Sequence, residues 1–155
     1  MPETTTPTPA GYINGSDLLI SVGSSTSKAA IGHSTTHTTT FSSETKDRAV
    51  KPAASVTTAT AALFKEKSVT GLSVQIKASG LRCYDEDECS YETLLGYWKA
   101  AKPIDVDAFK RGDDSSPYLS GKFIITNLEE DAPAGDDTTY SITLDNSGEV
   151  DLDLD

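Results

Sequence analysis

His33 and His37 are the two histidines of the chain, and imidazoles four residues apart share a metal when one helix face presents both. The surrounding run from Thr35 to Ser43, TTHTTTFSS, is β-branched and hydroxyl-rich, which favours a strand. In a strand, positions i and i+4 lie roughly 13 Å apart, too far to hold one ion. Cys83 and Cys89 flank the acidic Asp85-Glu86-Asp87-Glu88, but a pair at this spacing with no third thiol is a weak metal signature. Two small, reduced, buried side chains are expected instead. Asp145, Ser147, Glu149 and Asp151 alternate like the start of an EF-hand loop, yet the glycine and the closing glutamate of that loop are missing, so a solvated hairpin is expected. There is no G-x-S-x-G elbow, P-loop or G-x-G-x-x-G turn. No catalytic residue, metal or cofactor is therefore assigned, and the residues read as a non-enzymatic, β-rich assembly or binding protein.

The elements that would position any site follow from hydrophobic periodicity. Residues 1–15 carry Pro2, Pro7, Pro9, Gly11 and Gly15 among threonines, with Tyr12 and Ile13 as anchors, and predict an extended arm that orders on a partner. Residues 16–155 are expected to form one domain. Leu18, Ile20 and Val22 mark a short strand closed by Gly23-Ser24-Ser25, with a hairpin partner from Lys28 to Gly32. The Thr-rich strand that follows offers only Phe41 to a core, and a long loop is expected over about 44–66. Leu72, Val74, Ile76 and Ala78 alternate with polar residues, the pattern of a half-buried strand. Ser90 as N-cap, with Tyr91, Leu94, Leu95, Trp98 and Ala101 at helical period, predicts one helix stopped by Lys102-Pro103. Leu94, Leu95 and Trp98 are its expected core residues. Further strands are predicted over Ile104–Phe109, Leu119–Leu128 and Tyr140–Leu144, with a turn at Asp145-Asn146-Ser147-Gly148 and a last strand through Val150, Leu152 and Leu154. The fold class is mainly β with one helix (α+β), a β-sandwich or barrel.

Composition narrows the function. Leu, Ile, Val and Phe number 31 of 155 residues, whereas Ser and Thr number 38. This suits one modest core in strands. No run of about 18 apolar residues predicts a membrane helix, and Met1-Pro2-Glu3-Thr4 lacks the features of a signal peptide, so a soluble protein made in a cytoplasm is expected. Charge is uneven: residues 1–82 hold 8 basic and 5 acidic side chains, residues 83–155 hold 5 and 19. Tight binding to DNA needs the opposite sign and is not expected.

Four segments in order, AAIGHSTTHTTTFSSETKDRAVK, KSVTGLSVQIKASGL, SYETLLGYWKAAKPIDVDAF and YLSGKFIITNLEEDAPAGDDTTYSITLDNSGEVDL, resemble phage major tail tube proteins of long non-contractile tails. The last segment is the most specific. The resemblance implies a β-sandwich subunit of stacked, six-fold rings in the virion tail, assembled in the bacterial host cytoplasm. It also implies homo-oligomeric contacts, tape measure and tail completion proteins as partners, and genomic DNA passing through the bore unbound. Thr38, Thr40 and Ser42, then Glu149 and Asp151, are the expected bore-facing residues, because a wall poor in Lys and Arg lets a polyanion slide. Tyr12, Ile13, Lys46, Arg48 and Lys51 are the expected inter-subunit residues. A type VI secretion-like tube protein, a capsid decoration or fibre β-domain, and a sugar-binding or hydrolytic sandwich are the other classes considered.

Overall fold

The computed structural model describes residues 11–24, 26–48, 65–83, 90–113 and 115–154. A 3-10 turn at Gly15–Asp17, capped by the Asn14 side chain, leads into β1 (Leu18–Ser24), β2 (Ser27–Ala30), β3 (Ser34–Arg48) and β4 (Glu66–Leu81). Helix α1 (Tyr91–Ala100), β5 (Ile104–Lys110), β6 (Leu119–Asp131) and β7 (Thr139–Leu152) follow. The seven strands form one antiparallel sheet in the order β2-β1-β5-β6-β7-β4-β3.

The outermost strands of that order, β2 and β3, are consecutive in the chain. Ala30 and Ser34 are four residues apart and at most about 14 Å from each other. Seven strands laid flat would hold their outer members about 29 Å apart, so the sheet has to curl. The Ile31–His33 corner ties both halves together: the Ile31 amide donates to the Ile20 carbonyl at 2.9 Å, the Leu81 amide donates to the His33 carbonyl at 3.0 Å, and the Tyr140 hydroxyl donates to the Gly32 carbonyl. Gly80 permits this approach, since a Cβ there would lie 2.4 Å from the His33 carbonyl oxygen. The sandwich expected from the sequence is therefore one continuous sheet folded over its own core.

The fold line runs through β6 and β7. β5 pairs with β6 only over Leu119–Phe123, and β4 pairs with β7 only over Thr139–Asp145. Irregularities between Gly121 and Phe123 and between Ile125 and Asn127 bend β6 where it passes from one half-sheet to the other. On β7 the expected turn at Asp145–Gly148 is instead a bulge inside one unbroken strand, because Gly121 pairs with Val150 and Phe123 with Asn146. Gly148 supplies the positive φ of 96° that the bulge needs. The Asn146 side chain substitutes for missing backbone, accepting from the Val74 amide at 2.9 Å and donating to the Gly148 carbonyl at 2.9 Å. Ile20, Val22, Val106 and Phe123 meet Ile76, Ile142 and Leu144 in the core between the halves.

Two further expectations change. Strand pairing runs on through Arg48 and resumes at Glu66, held by Asp47–Lys67 at 3.8 Å and by Arg48 Nε donating to Ser68 Oγ at 3.3 Å. The ends of the expected 44–66 loop are thus strand, and Lys51 lies outside the described residues. Of the three expected helix core residues, Leu94 is fully buried while Leu95 and Trp98 are exposed. The helix contacts β6 along Tyr91, Leu94 and Tyr97, so the apolar stripe is rotated away from Trp98.

Arg82 clamps this helix. Its guanidinium donates to Glu92 on α1 and to Glu130 on β6 at 2.6 Å, and sits 4.9 Å over the Tyr91 ring. The hydrogen bond from Arg82 holds the Glu92 carboxyl below the ordinary carboxylate range. Its stabilising effect is complete above the unfolded-state value and fades as pH falls through the lowered one. Arg82→Met is expected to weaken helix docking by about 1–2 kcal/mol, read as faster hydrogen exchange confined to Tyr91–Ala100. Unchanged exchange would show that the apolar contacts of Tyr91, Leu94 and Tyr97 seat the helix without the clamp.

Candidate assembly interface

The half-sheet β3-β4-β7-β6 has one face on the core and one in solvent. Cross-strand register places Thr38 beside Lys77, Thr40 beside Gln75 and Ser42 beside Ser73. The row continues with Ser79 to Ser141, Lys77 to Thr143 and Gln75 to Asp145, then with Asn127 and Glu129 on β6. Gln75 Nε2 donates to Asp145 Oδ1 at 3.0 Å and neutralises part of its hydrogen-bonding capacity. The result is a hydroxyl- and amide-rich wall with Lys77 as its single cation among these residues. The Thr-rich strand makes sense here: a strand that meets water on one face and has few core neighbours gains from β-branching without apolar side chains.

Glu149 and Asp151 lie elsewhere. They line a cleft with Lys28, Asp105, Asp107 and Lys122 on the other half-sheet, where Lys28 Nζ pairs with Asp107 at 2.6 Å and Lys122 with Asp105 at 3.6 Å. The structure therefore groups Thr38, Thr40 and Ser42 on one wall and separates the two acids from them.

Among the described residues, both edges of the hydroxyl half-sheet are open. β3 is a 15-residue edge strand, and β6 beyond Phe123 has lost β5 as a neighbour. Open edges of this length are templates for pairing with another chain. Among the described residues no third strand pairs with the outer part of the β3–β4 hairpin, a condition marginal in water. Phe41, expected in the core, is 59% exposed there, beside Leu72 at 76%; with Leu152 they line a cleft of about 320 Å³. The hairpin end carries Lys46, Arg48, Lys65 and Lys67 against Asp47 and Glu66, whereas the opposite end of the half-sheet carries Glu129, Glu130, Asp131, Asp136 and Asp137, with Glu130 paired to Arg82. Tyr12 and Ile13 project in front of β1, both exposed.

The residues of possible chemistry are kept apart. His37 lines the seam cleft between β1 and β3 with Arg111, where burial lowers its pKa, while His33 faces a second cleft with Cys83 and Asp137. Cys83 is exposed and free rather than buried; Cys89 and Asp85–Glu88 lie outside the described residues. Among the described residues no three His, Cys, Asp or Glu side chains cluster as a metal site. Sequence reasoning missed Asn146, Arg82 and the open β6 edge. A lone Asn or Arg has no periodic signal, and an edge is visible only once strand order is known.

A family model described as phage tail tube protein matches residues 12–151. No curated protein matches the chain. Among solved structures, the chain is similar to the tail of an empty gene transfer agent particle refined with C6 symmetry, at 15% identity over 92% of this chain and 100% of that one, TM-score 0.70. A native gene transfer agent virion gives 16% identity, 92% and 100% coverage, and TM-score 0.71. The SPP1 tail tube gives 14%, 93% and 81%, and TM-score 0.65.

Proposed function

Because the chain belongs to the phage tail tube protein family, we propose that it is a structural, non-catalytic subunit whose copies close into stacked six-membered rings of a virion tail. The observation behind this reading is the four-stranded half-sheet with two open edges and one hydroxyl face. Its strands alternate in direction, so β6 of one copy set against β3 of the next continues an antiparallel sheet without a mismatch. Six copies at about 4.8 Å per strand and about 40° of tilt close a barrel roughly 48 Å across its backbone, wide enough for duplex DNA. Thr38, Thr40 and Ser42 then face the bore, and genomic DNA passes without specific contacts. Glu149 and Asp151 are withdrawn to the outer half-sheet.

The charge polarity gives stacking a direction. Lys46 and Arg48, with Lys51 beyond them in sequence, meet the acidic end of the next ring, and the arm of residues 1–15 docks Tyr12 and Ile13 on a neighbour. The domain from residue 16 onward carries the rings; tape measure and tail completion proteins are its further partners in the tail, and assembly takes place in the host cytoplasm. Electron microscopy of concentrated protein tests the reading: rings or tubes are expected, and single particles at every concentration would reject it. Raising salt from about 0.05 to about 0.5 M should shorten tubes before it opens rings, because exposed charge pairs are screened while strand pairing is not. Lys46→Glu with Arg48→Glu should reproduce the short tubes at low salt, and equal tube lengths would remove this charge contact. Deleting residues 1–15 should leave a folded subunit that stacks poorly.

A further inference from the structure

Two apolar patches on the subunit face opposite ends of the same half-sheet. Leu95 and Trp98 are 42% and 52% exposed on α1, and α1 lies on the core face of β6, since Leu94 joins the core cluster and Tyr91, Tyr97 and Leu128 pack against it. At the other edge, Phe41 pairs with Val74, a core residue, so its side chain lies on that same core face. Leu72 precedes Val74 by two residues and so shares its face, and Leu152 sits opposite buried Leu119.

We propose that Leu95 and Trp98 of each subunit seat in the groove of Phe41, Leu72 and Leu152 on the next subunit round the ring. This docking rests on the ring reading above, with β6 of one copy against β3 of the next. Within one subunit Leu128 is level with His37, through Ile142 and Ala78. Crossing four strands at a barrel tilt of about 40° displaces the next copy by about 16 Å, or about five residues. A displacement toward lower numbers would run off the start of β3 at Ser34. The shift therefore goes toward Arg48 and, because directly paired residues share a face, sets core-facing Leu128 level with Phe41 or Ser43, which carries the helix over Phe41. Both patches lose water together, and each is exposed in the isolated subunit.

Trp98 is the sole tryptophan, so its emission reports the contact in the unaltered protein. On assembly its fluorescence should shift to the blue and become protected from acrylamide. Phe41→Ser and Leu72→Ser should each raise the critical concentration for assembly about tenfold with the melting of the free subunit unchanged, while Leu154→Ser should not. Tubes in which Trp98 stays as quenchable as in the free subunit, or Phe41→Ser tubes forming at the wild-type concentration, would overturn the docking and leave the ring reading intact. Absence of rings and tubes altogether would overturn both.

Discussion

Phe123→Ala is expected to cost about 3–5 kcal/mol of subunit stability, a large part of the roughly 5–15 kcal/mol that holds a domain of this size together. Phe123 is fully buried at the fold line, opposite Ile104 on β5 and Asn146 on β7. Among the described residues it is the largest of the fully buried side chains. Truncation leaves a cavity where the two half-sheets meet, and the adjacent bulges already fix the backbone there, so the site collapses poorly. Denaturant unfolding of dilute protein reads the loss. Phe41→Ala, at an exposed position, should change the same measurement by less than about 0.5 kcal/mol. If the two variants were equally stable, the core would not lie between the half-sheets.

The second large effect concerns the hydroxyl wall. Thr38→Lys combined with Thr40→Lys adds about twelve cations to each ring of six, and phosphate contacts release counterions that hold DNA. Wild-type tubes should let duplex DNA pass without retention. Tubes of the double variant should bind it, and a site making 6–10 phosphate contacts loses about 10³–10⁵ in affinity between 50 and 200 mM salt. Both threonines are exposed on an edge strand, Thr40 opposite Gln75 and Thr38 opposite Lys77, so the cost is one exposed cross-strand repulsion of at most about 1 kcal/mol and the subunit itself should fold. Variant tubes that ignore DNA at low salt would place this wall away from the bore.

Alternation exposed most of the strands in the sequence because each has one face on the core: Val74, Ile76 and Ala78 were readable, as were Tyr140, Ile142 and Leu144. It misled at Leu72, which continues the alternation but lies beyond Asp145, where β7 ceases to flank β4. The helix was visible from its period, yet the side that meets the sheet is decided by tertiary position. Leu95 and Trp98 have the pattern of core residues and the exposure of interface residues. Asp145-Asn146-Ser147-Gly148 has the composition of a hairpin turn, and a bulge uses the same residues; only the register against Gly121 and Phe123 distinguishes them. The polar ends of β3 and β4 read as loop because their apolar partners, on this account, belong to another copy of the chain. Composition grouped Thr38, Thr40 and Ser42, which share one exposed face of β3, whereas Glu149 and Asp151 were grouped with them on charge alone, and charge carries no information about which half-sheet a residue occupies.

The central claim is that the half-sheet β3-β4-β7-β6 closes the ring edge to edge. Cryo-electron microscopy of tubes assembled from the full chain, at a resolution that traces strands, measures this directly. β3 of one subunit is expected to be hydrogen-bonded to the Ile124–Asp131 part of β6 in the next, with Thr38, Thr40 and Ser42 lining the bore. Tubes in which β3 faces the exterior, or in which these two edges stay unpaired, would contradict it.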